Sequence, residues 1–308
     1  MKYIITSLVI FFLLIGGVYL YLSLTADPDA IHDTDEEDEM IDEDEDDEET
    51  EEEEEIDDES NDEPREVIGT SVDGRDIVAH HFGNGERELL LVSGVHGGYS
   101  WNTSLLAYEL IDELEEGNIV IPDGIRVTVI PALNPDGLHS VTGVEGRFSA
   151  ADVSGDTRAA RFNAREVDIN RNFACNWEPT AVWQDTEVDP GTEPFSEPES
   201  SALREYVENE DPYAAVLYYA AAGSVYSSAC NGNVLPATTE LMQTYADASG
   251  YSGEGLFDAY TVSGGAVNWL ASQRIPAISV LLSDRENTER DMNVRAIEAL
   301  LDIIQRAQ

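Results

Sequence analysis

The chain is almost without lysine. Lys2 is the only one, so 15 of the 16 basic residues are arginines, and they stand against 64 Asp and Glu. A formal net charge of −48 over 308 residues argues against nucleic acid as a partner, because a polyphosphate needs a basic face and acidic residues here outnumber basic ones, 64 to 16. Cysteine is scarce as well. Cys175 and Cys230 are the whole complement, and two cysteines without paired histidines do not make a structural zinc site. They read either as one disulfide, in an oxidising compartment, or as two buried thiols. Histidine is limited to His32, His80, His81, His96 and His139, which restricts any imidazole-based metal chemistry to few positions.

What is present falls into three zones. Residues 1–26 carry no acidic residue and, after Lys2, an uncharged and mostly apolar stretch from Tyr3 to Leu24. That is about the length that spans a bilayer as a helix. It reads as a retained membrane anchor with Lys2 on the cytoplasmic side, or as a cleaved signal peptide, although Leu24-Thr25-Ala26 suits a signal cleavage site poorly. Residues 27–63 hold 26 Asp or Glu among 37 residues and no Lys, Arg or Gly. Charges of one sign at that density repel one another with nothing apolar to collapse around, so a disordered acidic linker is expected. Residues 64–308 form the globular part, expected on the extracytoplasmic side.

The globular part keeps 38 of the 64 acidic residues and all 15 arginines, a balance near −23. Such a surface repels itself until salt screens it. Its unfolding midpoint is therefore expected to rise steadily as sodium chloride is raised from about 0.01 M, where the Debye length is roughly 30 Å, to about 1 M, where it is roughly 3 Å. Circular dichroism melts across that series measure it, and a flat or falling midpoint contradicts the reading.

The order of elements alternates between strand and helix. Apolar runs at Val67–Thr70, Ile77–His81, Leu89–Val92, Arg126–Ala132, Ala214–Tyr219 and Ala277–Leu282 read as strands. Thr103–Glu115, Glu199–Val207, Thr239–Ala248, Ala266–Ser272 and Asn293–Arg306 read as helices. Asp73-Gly74 marks a hairpin between the first two strands. This alternation predicts an α/β fold, a mixed sheet with helices on both faces. Binding sites in such sheets form at the carboxyl ends of strands.

Several short motifs follow those strand ends. Ser93-Gly94-Val95-His96-Gly97-Gly98-Tyr99-Ser100 places a histidine in a glycine-rich strand-to-helix connection. Asn134-Pro135-Asp136-Gly137 on its own is an ordinary turn. Arg161-Phe162-Asn163 is followed by Val167-Asp168-Ile169-Asn170-Arg171-Asn172-Phe173. Two arginines beside an asparagine suit a carboxylate held by charge-assisted hydrogen bonds, or a pair of surface ion pairs. Pro194-Phe195-Ser196-Glu197-Pro198-Glu199 and Tyr260-Thr261-Val262-Ser263-Gly264-Gly265 come later.

In this order the motifs resemble those of the zinc carboxypeptidases, in their bacterial and archaeal branch, over about Pro64 to Gln308. The resemblance implies a metallocarboxypeptidase-like fold. It implies His96 as the first zinc ligand and Arg161 as the oxyanion arginine. It also implies Asn170 and Arg171 as the pair for a terminal carboxylate, and Tyr260 as the tyrosine covering the bound C-terminal residue. Three positions depart from the family. The glutamate ligand is missing, with Tyr99 and Ser100 in its place. The last histidine ligand is replaced by Tyr219 in Leu217-Tyr218-Tyr219-Ala220-Ala221-Ala222-Gly223. The general-base glutamate is replaced by Leu281, or by Leu282 with a one-residue slip.

A catalytic zinc takes three protein ligands and a water, and a leucine can neither take nor return a proton. Zinc, implied by the resemblance, is thus expected to be absent or weakly held. A rebuilt site would need His139 to approach His96. The expected function is a membrane-tethered pseudopeptidase that binds C-terminal carboxylates of peptides or cell-wall stems. The alternatives are an active metallocarboxypeptidase with a rearranged site and a structural surface scaffold.

Overall fold

The computed structural model describes residues 65–307. The expected anchor (1–26) and acidic linker (27–63) lie outside the described residues. Among the described residues no helix is long and apolar enough to cross a membrane.

Within the described residues, ten strands and six α-helices follow one another as β1 Arg65–Thr70, β2 Asp76–Gly83, β3 Arg87–Val92, α1 Trp101–Glu115, β4 Ile125–Ile130, α2 Pro135–Thr142, β5 Ala181–Trp183, β6 Thr186–Val188, α3 Pro198–Glu210, β7 Ala214–Ala220, β8 Ser224–Ser227, α4 Pro236–Ser249, β9 Ser252–Leu256, α5 Ala266–Ser272, β10 Ala277–Leu282 and α6 Arg290–Arg306. Eight of the strands make one mixed sheet in the order β1-β2-β4-β3-β7-β10-β8-β9, and β5 and β6 form a separate small hairpin. The centre, β4-β3-β7-β10, is parallel. β2 and β8 join it antiparallel on either side. The expected mixed α/β sheet is thus observed.

The parallel strands read as continuous apolar runs because helices cover both faces. Alternate residues of β7 show it. Ala214, Val216, Tyr218 and Ala220 enter the core built with α1, α4 and α6. Ala215, Leu217 and Tyr219 enter the core built with α3 and α5. Each buried Leu- or Ile-sized side chain contributes about 1.5–3 kcal/mol relative to an exposed one. A disulfide between Cys175 and Cys230, 55 residues apart, ties the loop before β5 to the loop after β8. On the chain-entropy view, closing a loop of that length stabilises by about 4 kcal/mol.

Two local readings change. Asn134-Pro135-Asp136-Gly137 is not a free turn but the start of α2. The Asn134 side chain accepts a hydrogen bond from the Gly137 N–H at 2.9 Å, and Pro135 occupies the first turn, where its missing N–H costs nothing. The long stretch between Leu138 and Pro198 is mostly irregular, as its Gly, Asp and Pro content suggests, but it contains the β5-β6 hairpin.

Candidate functional site

A cavity of about 750 Å³ opens at the carboxyl ends of β3, β7 and β10. Its lining includes His96, Tyr99, Arg161, Asn170, Trp183, Tyr219, Tyr260, Leu281 and Arg285. Most of the positions singled out in the sequence therefore meet in one place.

The His96 loop is fixed by close packing. After β3 the Ser93 N–H bonds to Ile130 O at 2.8 Å. Gly97 sits at φ +44, and a Cβ there would fall 2.6 Å from Ala160 O, so only glycine allows this approach. Asn134 Nδ2 donates to Arg161 O at 3.2 Å, tying α2 and the Arg161 segment to the same loop. His96 is 7% exposed, and neither of its ring nitrogens has a hydrogen-bond partner. Its ring lies 5.1 Å from that of Tyr219. Burial, followed by the charges of Arg161, Arg171 and Arg285, pushes the imidazole pKa well below its ordinary value. His96 is thus neutral at pH 7, with one donor and one acceptor to offer.

Arg161 is the best-built group. It is 1% exposed, and its Nε and Nη2 donate to Asp168 Oδ2 at 3.0 and 2.9 Å. Burial pulls its pKa down and Asp168 opposes this, so the guanidinium stays charged. The same carboxylate accepts from Asn170 N through Oδ1 at 3.1 Å. Asp168 therefore orients the oxyanion-position arginine and the following turn together.

Asn170 reaches the cavity. Its Oδ1 accepts from Tyr219 Oη at 3.3 Å and from Ala266 N at 3.0 Å, which leaves the Nδ2 amide for a ligand. Arg171 is placed differently from its neighbour. It is 1% exposed, is not part of the cavity wall, and donates to Val182 O at 3.3 and 3.0 Å and to Asn170 O at 2.8 Å. The β5-β6 hairpin covers it, so its charge acts from behind the wall. Tyr260 lines the cavity with its ring 5.9 Å from the Arg171 guanidinium. Its loop closes on residues 170–173 through Gly264, at φ +61, where a Cβ would meet Arg171 O at 2.2 Å.

The departing positions sort clearly. Tyr99 faces the cavity, whereas Ser100 is 1% exposed and is not part of the wall. Leu281 faces the cavity, while Leu282 points into the core beneath α4 and α6. Tyr219 and Leu281 sit side by side, paired in register between β7 and β10. Burial raises the Tyr219 pKa, against the opposing charges of Arg171 and Arg161, so it remains a neutral phenol. His139 is not part of the cavity wall; its Nδ1 faces Arg75 Nη2 at 3.1 Å.

The donor set does not fit zinc. His96 offers one imidazole, its cavity neighbours are phenols and a leucine, and a guanidinium stands close by. Among the described residues no three His, Cys, Asp or Glu come together as a metal site, whereas zinc requires about that many N, O or S donors.

Three residues escape a sequence reading: Asp168, hidden inside a motif read for Asn and Arg; Trp183; and Arg285. Trp183 stacks edge-on to Tyr99 at 4.8 Å, with the Arg161 and Arg158 guanidinium groups each 4.3 Å from its ring. A Val-Trp pair in a polar stretch is the available signal. The position of Arg285 depends on a loop fold that its sequence does not announce.

This architecture, a mixed α/β sheet with a cavity at the carboxyl ends of its strands, is that of a metallocarboxypeptidase. The zinc carboxypeptidase family model matches residues 60–299, and the chain belongs to that family. Solved structures with this fold include the murein-tripeptide amidase MpaA of Escherichia coli O157, at 21% identity and TM-score 0.56, covering 77% of this chain and 91% of that one. Carboxypeptidase A of Helicoverpa armigera is 17% identical at TM-score 0.59, covering 79% and 67%. Bacteriocin BCN5 of Clostridium perfringens is 30% identical over 149 residues. That stretch spans 46% of this chain and only 15% of the bacteriocin.

Proposed function

We propose that this chain binds the C-terminal carboxylate of peptides or cell-wall stems without hydrolysing them, and that residues 1–26 tether it to a membrane with the folded part outside. The observation that supports this reading is the composition of one cavity wall. Arg161 and Asn170 line the same cavity as the Tyr219-Leu281 pair, so donors for an anion remain where the ligand and base positions carry a phenol and a leucine. Arg161 spends Nε and Nη2 on Asp168, leaving Nη1; Asn170 offers Nδ2; Arg171 adds its charge from behind.

Calorimetric titration with an N-acetylated dipeptide acid and its C-terminal amide tests the reading. Charge-assisted hydrogen bonds of about 1.5–3 kcal/mol predict that the acid binds roughly ten- to a hundredfold more tightly. Equal affinity for acid and amide sinks the proposal. One observation favours the second reading, an active metallopeptidase: both His96 nitrogens are unpartnered. Stoichiometric zinc in the purified chain, with cleavage of the peptide acid, would establish it.

A further inference from the structure

Arg285 is a cation in the cavity that the carboxylate-binding groups leave unused. It follows β10 in the loop Ser283-Asp284-Arg285-Glu286-Asn287, and that loop is firmly held. Asn102, fully buried on α1, donates through Nδ2 to Asp284 O at 3.0 Å and to Asn287 O at 2.9 Å. Asp284 Oδ1 accepts from Glu286 N and Asn287 N, each at 2.8 Å. Ser283 N donates to Glu289 Oε2 at 2.9 Å. The turn aims the side chain inward, and the guanidinium lies 4.3 Å from the centre of the Tyr99 ring. Arg161 approaches the same ring at 5.8 Å. An aromatic face attracts a cation, so tyrosine at position 99 seats a guanidinium where a carboxylate would seat a metal ion.

This guanidinium is under-satisfied. Its Nε is buried without a hydrogen-bond partner, and among the described residues no carboxylate pairs with it. The neighbouring Asp284 is committed to its own turn, and Asp185 and Asp258, though on the cavity wall, form no ion pair with it. Several other arginines also lack an ion pair, but among the described residues only Arg285 combines that lack with a buried side-chain nitrogen that has no hydrogen-bond partner. Buried donors without partners are costly, and a ligand anion would relieve this one. His96 beside it holds two more unpartnered nitrogens and, being neutral, can donate one N–H to the same anion.

We infer that Arg285, with His96, forms a second anion-binding subsite in this cavity, so that the ligand carries two carboxylates: one at Asn170 and Arg161, the other at Arg285. The inference rests on the proposed carboxylate-binding function and specifies its ligand class, a dicarboxylate. The subsite occupies the region between Tyr99 and His96, the region that metal binding would require, and fills it with a fixed positive charge. No bond is made or broken there.

The test uses the full chain and a length series, succinate, glutarate and adipate, each paired with its monoamide, read by calorimetry and by shift of the unfolding midpoint. At one length at least, the diacid is expected to bind about tenfold or more tightly than its monoamide. Arg285→Gln is expected to abolish that gap while leaving the monoamide affinity within about twofold, and Arg285→Lys to keep part of it. Unliganded unfolding midpoints check that both variants fold. No gap at any length, or a gap that survives in Arg285→Gln, overturns the inference. Binding of the peptide acid without any preference for diacids overturns this inference alone. A chain that binds none of these acids, the peptide acid included, overturns the carboxylate-binding function as well.

Discussion

Replacing Asp168 by alanine is expected to destabilise the fold by about 3–5 kcal/mol, because it strands the Arg161 guanidinium, 1% exposed, without its carboxylate. The cost has two parts. An unpaired buried charge accounts for most of it. The remainder comes from the Asn170 N–H, which loses its acceptor at the start of the 169–171 turn. The cause is separable. Arg161→Met combined with Asp168→Ala removes the stranded charge, so the double variant should be more stable than the sum of the two single changes by about 2 kcal/mol or more. Urea unfolding of the four proteins closes the cycle. Additive single costs would show that Asp168 acts only as a backbone cap, and that the pair is not the unit that positions Arg161.

How far the sequence discloses this molecule depends on the range over which each signal acts. The β3, β7 and β10 runs and helices α1, α3 and α6 are legible because a buried parallel strand must be apolar throughout and a covering helix must be apolar on one side. The convergence of His96, Asn170, Tyr219 and Leu281 is legible only through the resemblance, since the pairing of Tyr219 with Leu281 is a contact between residues 62 positions apart. Asn134 reads as a turn residue because an Asn-Pro-Asp-Gly string serves equally as a helix cap; what decides is whether the next turn finds a surface to pack on, which α2 does against the glycines of the His96 loop. Arg171 reads as facing the ligand, but the Val182 carbonyl, supplied by a hairpin with little strand pattern, holds it behind the wall. Arg285 is invisible for a different reason. Nothing in Ser-Asp-Arg-Glu-Asn distinguishes a surface turn from one pinned by Asn102 at a distance of 182 residues.

Restoring the family's metal groups should succeed only when Arg285 is also removed. The variant Tyr99→Glu, Tyr219→His, Leu281→Glu supplies, with His96, two imidazoles and a carboxylate for zinc and a carboxylate for the water. Yet it leaves a guanidinium in the same region, its platform lost with Tyr99. That cation would pair with the carboxylate introduced at position 99 through a charge-assisted contact, and its positive charge would oppose the approach of a dication to the same region. Adding Arg285→Ser clears the charge. The expected result is little zinc in the triple variant and close to one equivalent in the quadruple variant, measured by atomic absorption after dialysis. Hydrolysis of a peptide acid is expected in the quadruple variant alone, at rates above a background that the parent chain does not exceed. Equal zinc content in the triple and quadruple variants would show that Arg285 does not hold the metal region. Zinc uptake without hydrolysis in the quadruple variant would show that clearing Arg285 restores the metal but not the chemistry, with Arg171 still held on Val182 and Asn170.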